Sequence, residues 1–82
     1  MIGSMDTKQI VLDMSPSIAT KFPATHAARV EKIARWCEIY LRLEGRLPYG
    51  GDILWMYDLE SVEEMGEFLQ KWERQLSEYL SR

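Results

Sequence analysis

The apolar positions of this 82-residue chain fall into two long helical patterns separated by turn signals. Toward the C-terminus, Val62, Met65, Leu69, Trp72, Leu76 and Tyr79 recur at alternating steps of three and four, and Phe68 and Leu80 widen the stripe. That period gathers them on one side of an α-helix and leaves Glu63, Glu67, Gln70, Lys71, Arg74, Gln75 and Glu78 on the other. Ser61 and Glu64 have the Ser-x-x-Glu spacing of a capping box, in which each side chain satisfies a free backbone donor of the other. The pattern therefore predicts a helix over 62–80, with Glu67 and Lys71 paired across one turn of its outer face.

Between His26 and Glu44 no Gly or Pro intervenes, and Ala, Leu, Arg, Glu and Lys dominate. A second helix is predicted over 26–44, closed by Gly45 in a left-handed cap, with Arg42 placed favourably against the helix dipole. Val30, Ile33, Cys37 and Tyr40 form one stripe; Trp36, Ile39 and Leu43 form another beside it. A helix apolar around most of its circumference needs more than one neighbour to cover it. The arrangement that meets this need is an antiparallel hairpin of helices 26–44 and 62–80, two copies of which pack as a four-helix homodimer. Trp36, Ile39, Tyr40, Leu43, Leu69 and Trp72 are then the dimer interface.

The remaining segments are shorter. Lys8 to Met14 alternates Ile10, Leu12 and Met14 against Gln9, Val11 and Asp13, the pattern of a short strand or extended arm, which would pair with its twin or with residues 53–57. Ser15-Pro16 starts a helix of about two turns carrying Ile18 and Phe22. Pro23 bends or ends it, and Thr25 caps a fresh start. Arg46 to Asp52, with Pro48 and Gly50-Gly51, reads as a turn or loop. Ile53 to Tyr57 fits either a buried strand or a short helix capped by Asp52. The fold class is mainly α, a helical hairpin with an N-terminal strand or arm.

Composition sets the outer bounds. Hydrophobic residues make up 46% of the chain and charged ones 28%, which is the balance of a folded globule rather than a disordered tract. Its length accommodates one small helical domain, over residues 5–82, and Gly3-Ser4 ahead of a second methionine marks residues 1–4 as a cloning remnant. No apolar run approaches the roughly 18 residues of a membrane span, and no signal-peptide pattern opens the chain, so a cytoplasmic location without membrane contact is expected.

Few residues suit catalysis. The single cysteine, Cys37, forms no internal disulfide, and the single histidine leaves too few ligands for a structural zinc. His26 and Cys37 lie 11 residues apart on one helix, hence about 16 Å along its axis, too far for a thiol–imidazole pair. Cys37 reads as a buried hydrophobe and His26 as a surface residue. Asp58, Glu60, Glu63, Glu64 and Glu67 crowd the start of the last helix, where the helix dipole and the cap already account for acids. Gly50-Gly51 lacks the Lys-Ser/Thr of a phosphate loop. The expectation is a protein that is not an enzyme and uses no metal or cofactor.

Elimination then points to a small regulatory or adaptor protein that binds an unidentified protein through Tyr49, Trp55 and Tyr57, an aromatic cluster of the kind that anchors interfaces. The formal charge of −3 divides unevenly, with a basic segment over 21–46 and an acidic one over 47–82. Complementary rims on packed helices explain that division, as would a nucleic-acid face. Ile10-Val11-Leu12-Asp13-Met14-Ser15-Pro16 resembles the strand and helix start of ribbon-helix-helix repressors, which pair two strands in the DNA major groove. The resemblance implies base contacts from Lys8 and Gln9, and the alternative function of a DNA-binding transcriptional regulator. Arg29, Lys32 and Arg35 would add phosphate contacts, although Asp13 beside the groove opposes them.

Overall fold

The computed structural model describes residues 21–82. After a single 3₁₀ turn at Pro23–Thr25 come three α-helices: α1 over His26–Glu44, α2 over Gly50–Tyr57 and α3 over Val62–Leu80, with no strand among the described residues. The expected N-terminal strand, and the helix start at Ser15-Pro16, lie outside them.

Both long helices occupy the ranges that their periodicity and caps predict. Gly45 closes α1 at φ 78°, and its N–H donates to the Leu41 carbonyl at 2.9 Å. A residue with a Cβ would be strained there. At the start of α3, the Glu64 N–H donates to Ser61 Oγ at 3.1 Å, while the Glu64 carboxylate accepts from the Glu60 N–H at 2.9 Å. The reciprocal half of the cap is thus displaced by one residue toward the N-terminus. Thr25 precedes α1 without capping it, because its Oγ1 accepts instead from Arg29 Nε at 2.8 Å.

The segment after α1 differs from the sequence reading. Gly50 and Gly51 form the first turn of α2 rather than a loop, and Asp52 sits inside that turn instead of capping it. The helix alternative for residues 53–57 is the one adopted. Ile53, Met56 and Tyr57 are buried while Leu54 and Trp55 are exposed, a spacing that only a helix produces.

The relative direction of the long helices is a correction. Lys32 lies beside Gly66, Trp36 beside Phe68 and Trp72, Tyr40 on Trp72, and Leu43 and Glu44 beside Gln75 and Tyr79. The pairings advance together, so α1 and α3 run parallel and are not an antiparallel hairpin. Between them α2 runs back, its C-terminal end against His26 and Arg29 and its N-terminal neighbour Tyr49 beside Arg46. The chain is an up-down-up bundle with a short middle helix. Short loops force neighbouring helices to be antiparallel, but α2 and its flanking coil form a connector long enough to return along the roughly 28 Å of a 19-residue helix.

This topology removes the argument for a twin. The core comprises Val30, Ile33, Trp36, Cys37, Ile39, Ile53, Met56, Tyr57, Met65, Leu69 and Leu76, with Phe22, Tyr40, Leu43, Leu47, Leu59, Phe68 and Trp72 packed against it. Trp36 and Ile39 are 3% and 0% exposed within one chain, and Leu69 is buried too. These three are core residues rather than a dimer interface, because α2 supplies the second neighbour that α1 requires. Tyr40, Leu43 and Trp72 are half-buried in the same interior. The Trp36 ring meets Tyr40, Phe68 and Trp72 at 5.4 to 5.9 Å between centroids, all edge-on, and Tyr40 stacks on Trp72 at 5.0 Å.

Candidate protein-binding face

The buried charge of the bundle, Arg29, binds the chain's own backbone. Arg29 is 2% exposed, and Nη1 donates to the carbonyls of Tyr57 and Leu59, the latter at 2.6 Å, while Nη2 reaches the Glu60 carbonyl at 3.3 Å. Its guanidinium also lies 3.7 Å from the centroid of the Phe22 ring. These carbonyls belong to the C-terminal end of α2 and the turn after it, where the helix leaves acceptors unpaired and its dipole is negative. One cation thus locks the turn between α2 and α3 onto α1. Arg29, expected among the phosphate contacts, is not available to nucleic acid.

His26 is half-buried rather than on the surface, and its Nδ1 is hydrogen-bonded to the Tyr57 hydroxyl at 3.0 Å. Burial pushes the Tyr57 hydroxyl above its ordinary range and nearby Asp58 adds to that, against the opposing charge of Arg29. Tyr57 is fully buried, so it leaves the expected partner-binding trio and belongs to the core. Cys37 is 1% exposed, and burial, with a smaller effect from Glu38, pushes its thiol up to about 11. A protonated, enclosed thiol is no nucleophile at neutral pH.

The acids at the start of α3 do not converge. Asp58 pairs with Lys21 at 2.9 Å, Glu64 caps, and no three His, Cys, Asp or Glu side chains among the described residues are grouped to hold a metal ion. Arg35, another expected phosphate contact, is held by both oxygens of Glu73 at 3.0 and 2.8 Å. That fork pulls the Glu73 carboxyl below its usual value. Lys32 is half-buried, and Lys8 and Gln9 lie outside the described residues. The structure therefore does not assemble Arg29, Lys32 and Arg35 into an open basic surface.

The large hydrophobic residues left exposed among the described residues are Tyr49, Leu54 and Trp55, together with Tyr79 and Leu80 at the end of α3. Tyr49 is 67% and Trp55 53% exposed, and Leu54 stands beside Trp55 on the outer side of α2. The Trp55 ring meets Phe68 of α3 edge-on at 5.2 Å, and together with Leu59, Glu64, Glu67 and Lys71 they line a shallow cleft of 230 Å³. Tyr49 sits apart, with the Arg46 guanidinium 4.4 Å from its ring centroid and 5.2 Å from that of Tyr40. The expected trio is thereby divided into an exposed Trp55, a separate exposed Tyr49 and a buried Tyr57. Leu54, Leu59 and Phe68 complete the Trp55 face. Sequence reading passed over Leu54 because the helical phase of residues 53–57 was undecided, and that phase determines which of the five apolar residues turn outward; Phe68 was read only as widening the stripe of α3.

No helix among the described residues is long and apolar enough to cross a membrane. Comparison with known proteins found no matching family model, no similar curated protein and no similar solved structure.

Proposed function

We propose that this chain is a non-enzymatic interaction module, a small adaptor or regulator that binds a protein partner through the face formed by Leu54, Trp55 and Phe68. One observation carries the reading: Trp55 keeps about half of its surface in solvent at 53% exposure, although the same helix buries Ile53, Met56 and Tyr57. Large aromatics left open beside a cleft are the side chains that dominate binding energy at protein interfaces. The groups that would serve catalysis or nucleic acid are otherwise engaged, since Arg29 binds carbonyls, Cys37 is enclosed and Arg35 is paired. The unit that binds is taken to be the single chain, because Trp36 and Ile39, for which a twin was invoked, are already 3% and 0% exposed within it.

The test is a quantitative capture from the native cell with the parent chain and with Trp55→Ala, both immobilised in folded form. The expected result is at least one protein retained by the parent and lost from the variant. Identical catches would overturn the proposal.

A further inference from the structure

We infer that the Trp55 face takes a short basic segment of its partner, an apolar side chain seated in the cleft with a lysine or arginine next to it. This rests on the interaction-module reading and specifies its ligand. Two features decide the chemistry. The first is charge. Glu60, Glu63, Glu64 and Glu67 are all exposed around the turn after α2 and the start of α3, and none forms an ion pair among the described residues. Of the cations near these acids, Lys21 is paired with Asp58 and Arg35 with Glu73, which leaves Lys32, whose ammonium lies beside Gly66, and Lys71 against four carboxylates. Within the cleft itself Glu64 and Glu67 face a single Lys71. An approaching cation is attracted by this surplus and finds both a carboxylate and the half-exposed ring of Trp55, with which it can make a cation–π contact.

The second feature is area. Taking about 250 Å² for a whole tryptophan side chain, Trp55 at 53% exposure offers on the order of 130 Å², whereas a standard interface buries about 800 Å² on each partner. With exposed Leu54 and half-buried Leu59 and Phe68 beside it, Trp55 makes a small anchor that suits a short segment better than the broad face a second copy of the chain would need. A symmetric pair would also set the acidic surplus of one copy against the same surplus of the other.

The probe is a fluorescein-labelled 16-residue peptide of Ala, Leu and Lys, with Leu at four-residue spacing, compared with a peptide in which every Lys is Glu. Fluorescence anisotropy is read at low and at moderate salt. The Lys peptide is expected to bind in the micromolar range and to weaken with salt, and the Glu peptide to bind at least tenfold more weakly. Trp55→Ala and, separately, Glu67→Lys are each expected to lower the affinity for the Lys peptide at least fivefold, with unchanged circular dichroism. Glu67 is exposed and makes no hydrogen bond or ion pair that the fold depends on, so its variant keeps the test open if Trp55→Ala melts. Equal binding of the two peptides, no binding of either, or binding indifferent to both substitutions would overturn the inference. So would a dimer in light scattering that Trp55→Ala dissolves. If the capture experiment yields a Trp55-dependent partner while the Lys peptide fails, the interaction-module reading stands and only the basic ligand is lost.

Discussion

Arg29 on α1 donates to the main-chain carbonyl of Tyr57 at the end of α2, and neither residue exposes more than 2% of its surface. The contact joins two helices through a charge held by backbone dipoles, with no carboxylate involved. Substituting Arg29→Met keeps much of the stem's packing but leaves the carbonyls of Tyr57 and Leu59 without their donor. Unpaired buried acceptors cost about 1 to 3 kcal/mol each, so urea denaturation is expected to show a loss of about 3 kcal/mol or more. Arg29→Lys should recover only part, because an ammonium lacks the planar fork that reaches several carbonyls at once. A loss under about 1 kcal/mol would mean that the acceptors find water and that the lock is not structural.

Cys37 gives a prediction on reactivity and one on pH. Native protein at pH 8 should react with a disulfide reagent only as fast as it unfolds, and at once in denaturant. Its thiol titrates near 9.0 when unfolded and at about 11 when folded. The raised value means that its contribution to stability is complete below the unfolded value and is lost as pH rises toward the folded one. The fall in the urea midpoint between these pH values should therefore be smaller in Cys37→Ala than in the parent. Equal falls would assign the alkaline loss to other groups, Tyr57 first among them.

The Arg35–Glu73 fork acts in the opposite direction. Glu73 is held below the usual carboxylate value of 4.5, first by the hydrogen bond from Arg35. Its contribution is present above that value and disappears as pH falls through the lowered one. Both side chains are more than 40% exposed, so solvent screening limits the effect. Glu73→Gln is expected to cost less than about 1 kcal/mol at neutral pH, with the difference from the parent vanishing in acid. A difference that persists below pH 3 would point to packing instead of charge.

Leu69 distinguishes a core stripe from an intermolecular one. Leu69→Ala should cost about 2 to 5 kcal/mol, and its denaturation midpoint should not depend on protein concentration. A midpoint that rises with concentration would restore the twin-covered interface that the single-chain burial of Trp36, Ile39 and Leu69 argues against.

The long helices were legible because their boundaries are written locally. The three- and four-residue recurrence from Val62 to Tyr79, the Ser61–Glu64 cap and Gly45 each act within a few residues of their own position. Glu67 and Lys71, by contrast, form no ion pair in the folded chain, since an exposed pair of this kind is worth only about 0.2 to 0.5 kcal/mol and water competes for it. The direction of α3 relative to α1 was not legible, because it depends on the length of ordered chain between them, and Gly50-Gly51 concealed the first turn of α2. Once α2 is a helix, the second apolar stripe of α1 no longer calls for another copy. The site was half legible for the same reason. Trp55 and Tyr49 were identified by residue type, but only the helical phase reveals that Tyr57 turns inward and Leu54 outward. Nothing in its immediate neighbours marked Arg29 as a buried clamp, since the carbonyls it holds lie 28 to 31 residues away.

An odd number of passes along the bundle puts Lys21 and Arg82 at opposite poles. Donor and acceptor dyes attached at those two positions would be separated by at least the length of a 19-residue helix, about 28 Å, and would transfer energy far less efficiently than the neighbouring ends of a hairpin. A cargo fused beyond Arg82 would accordingly leave the bundle from the pole opposite Lys21.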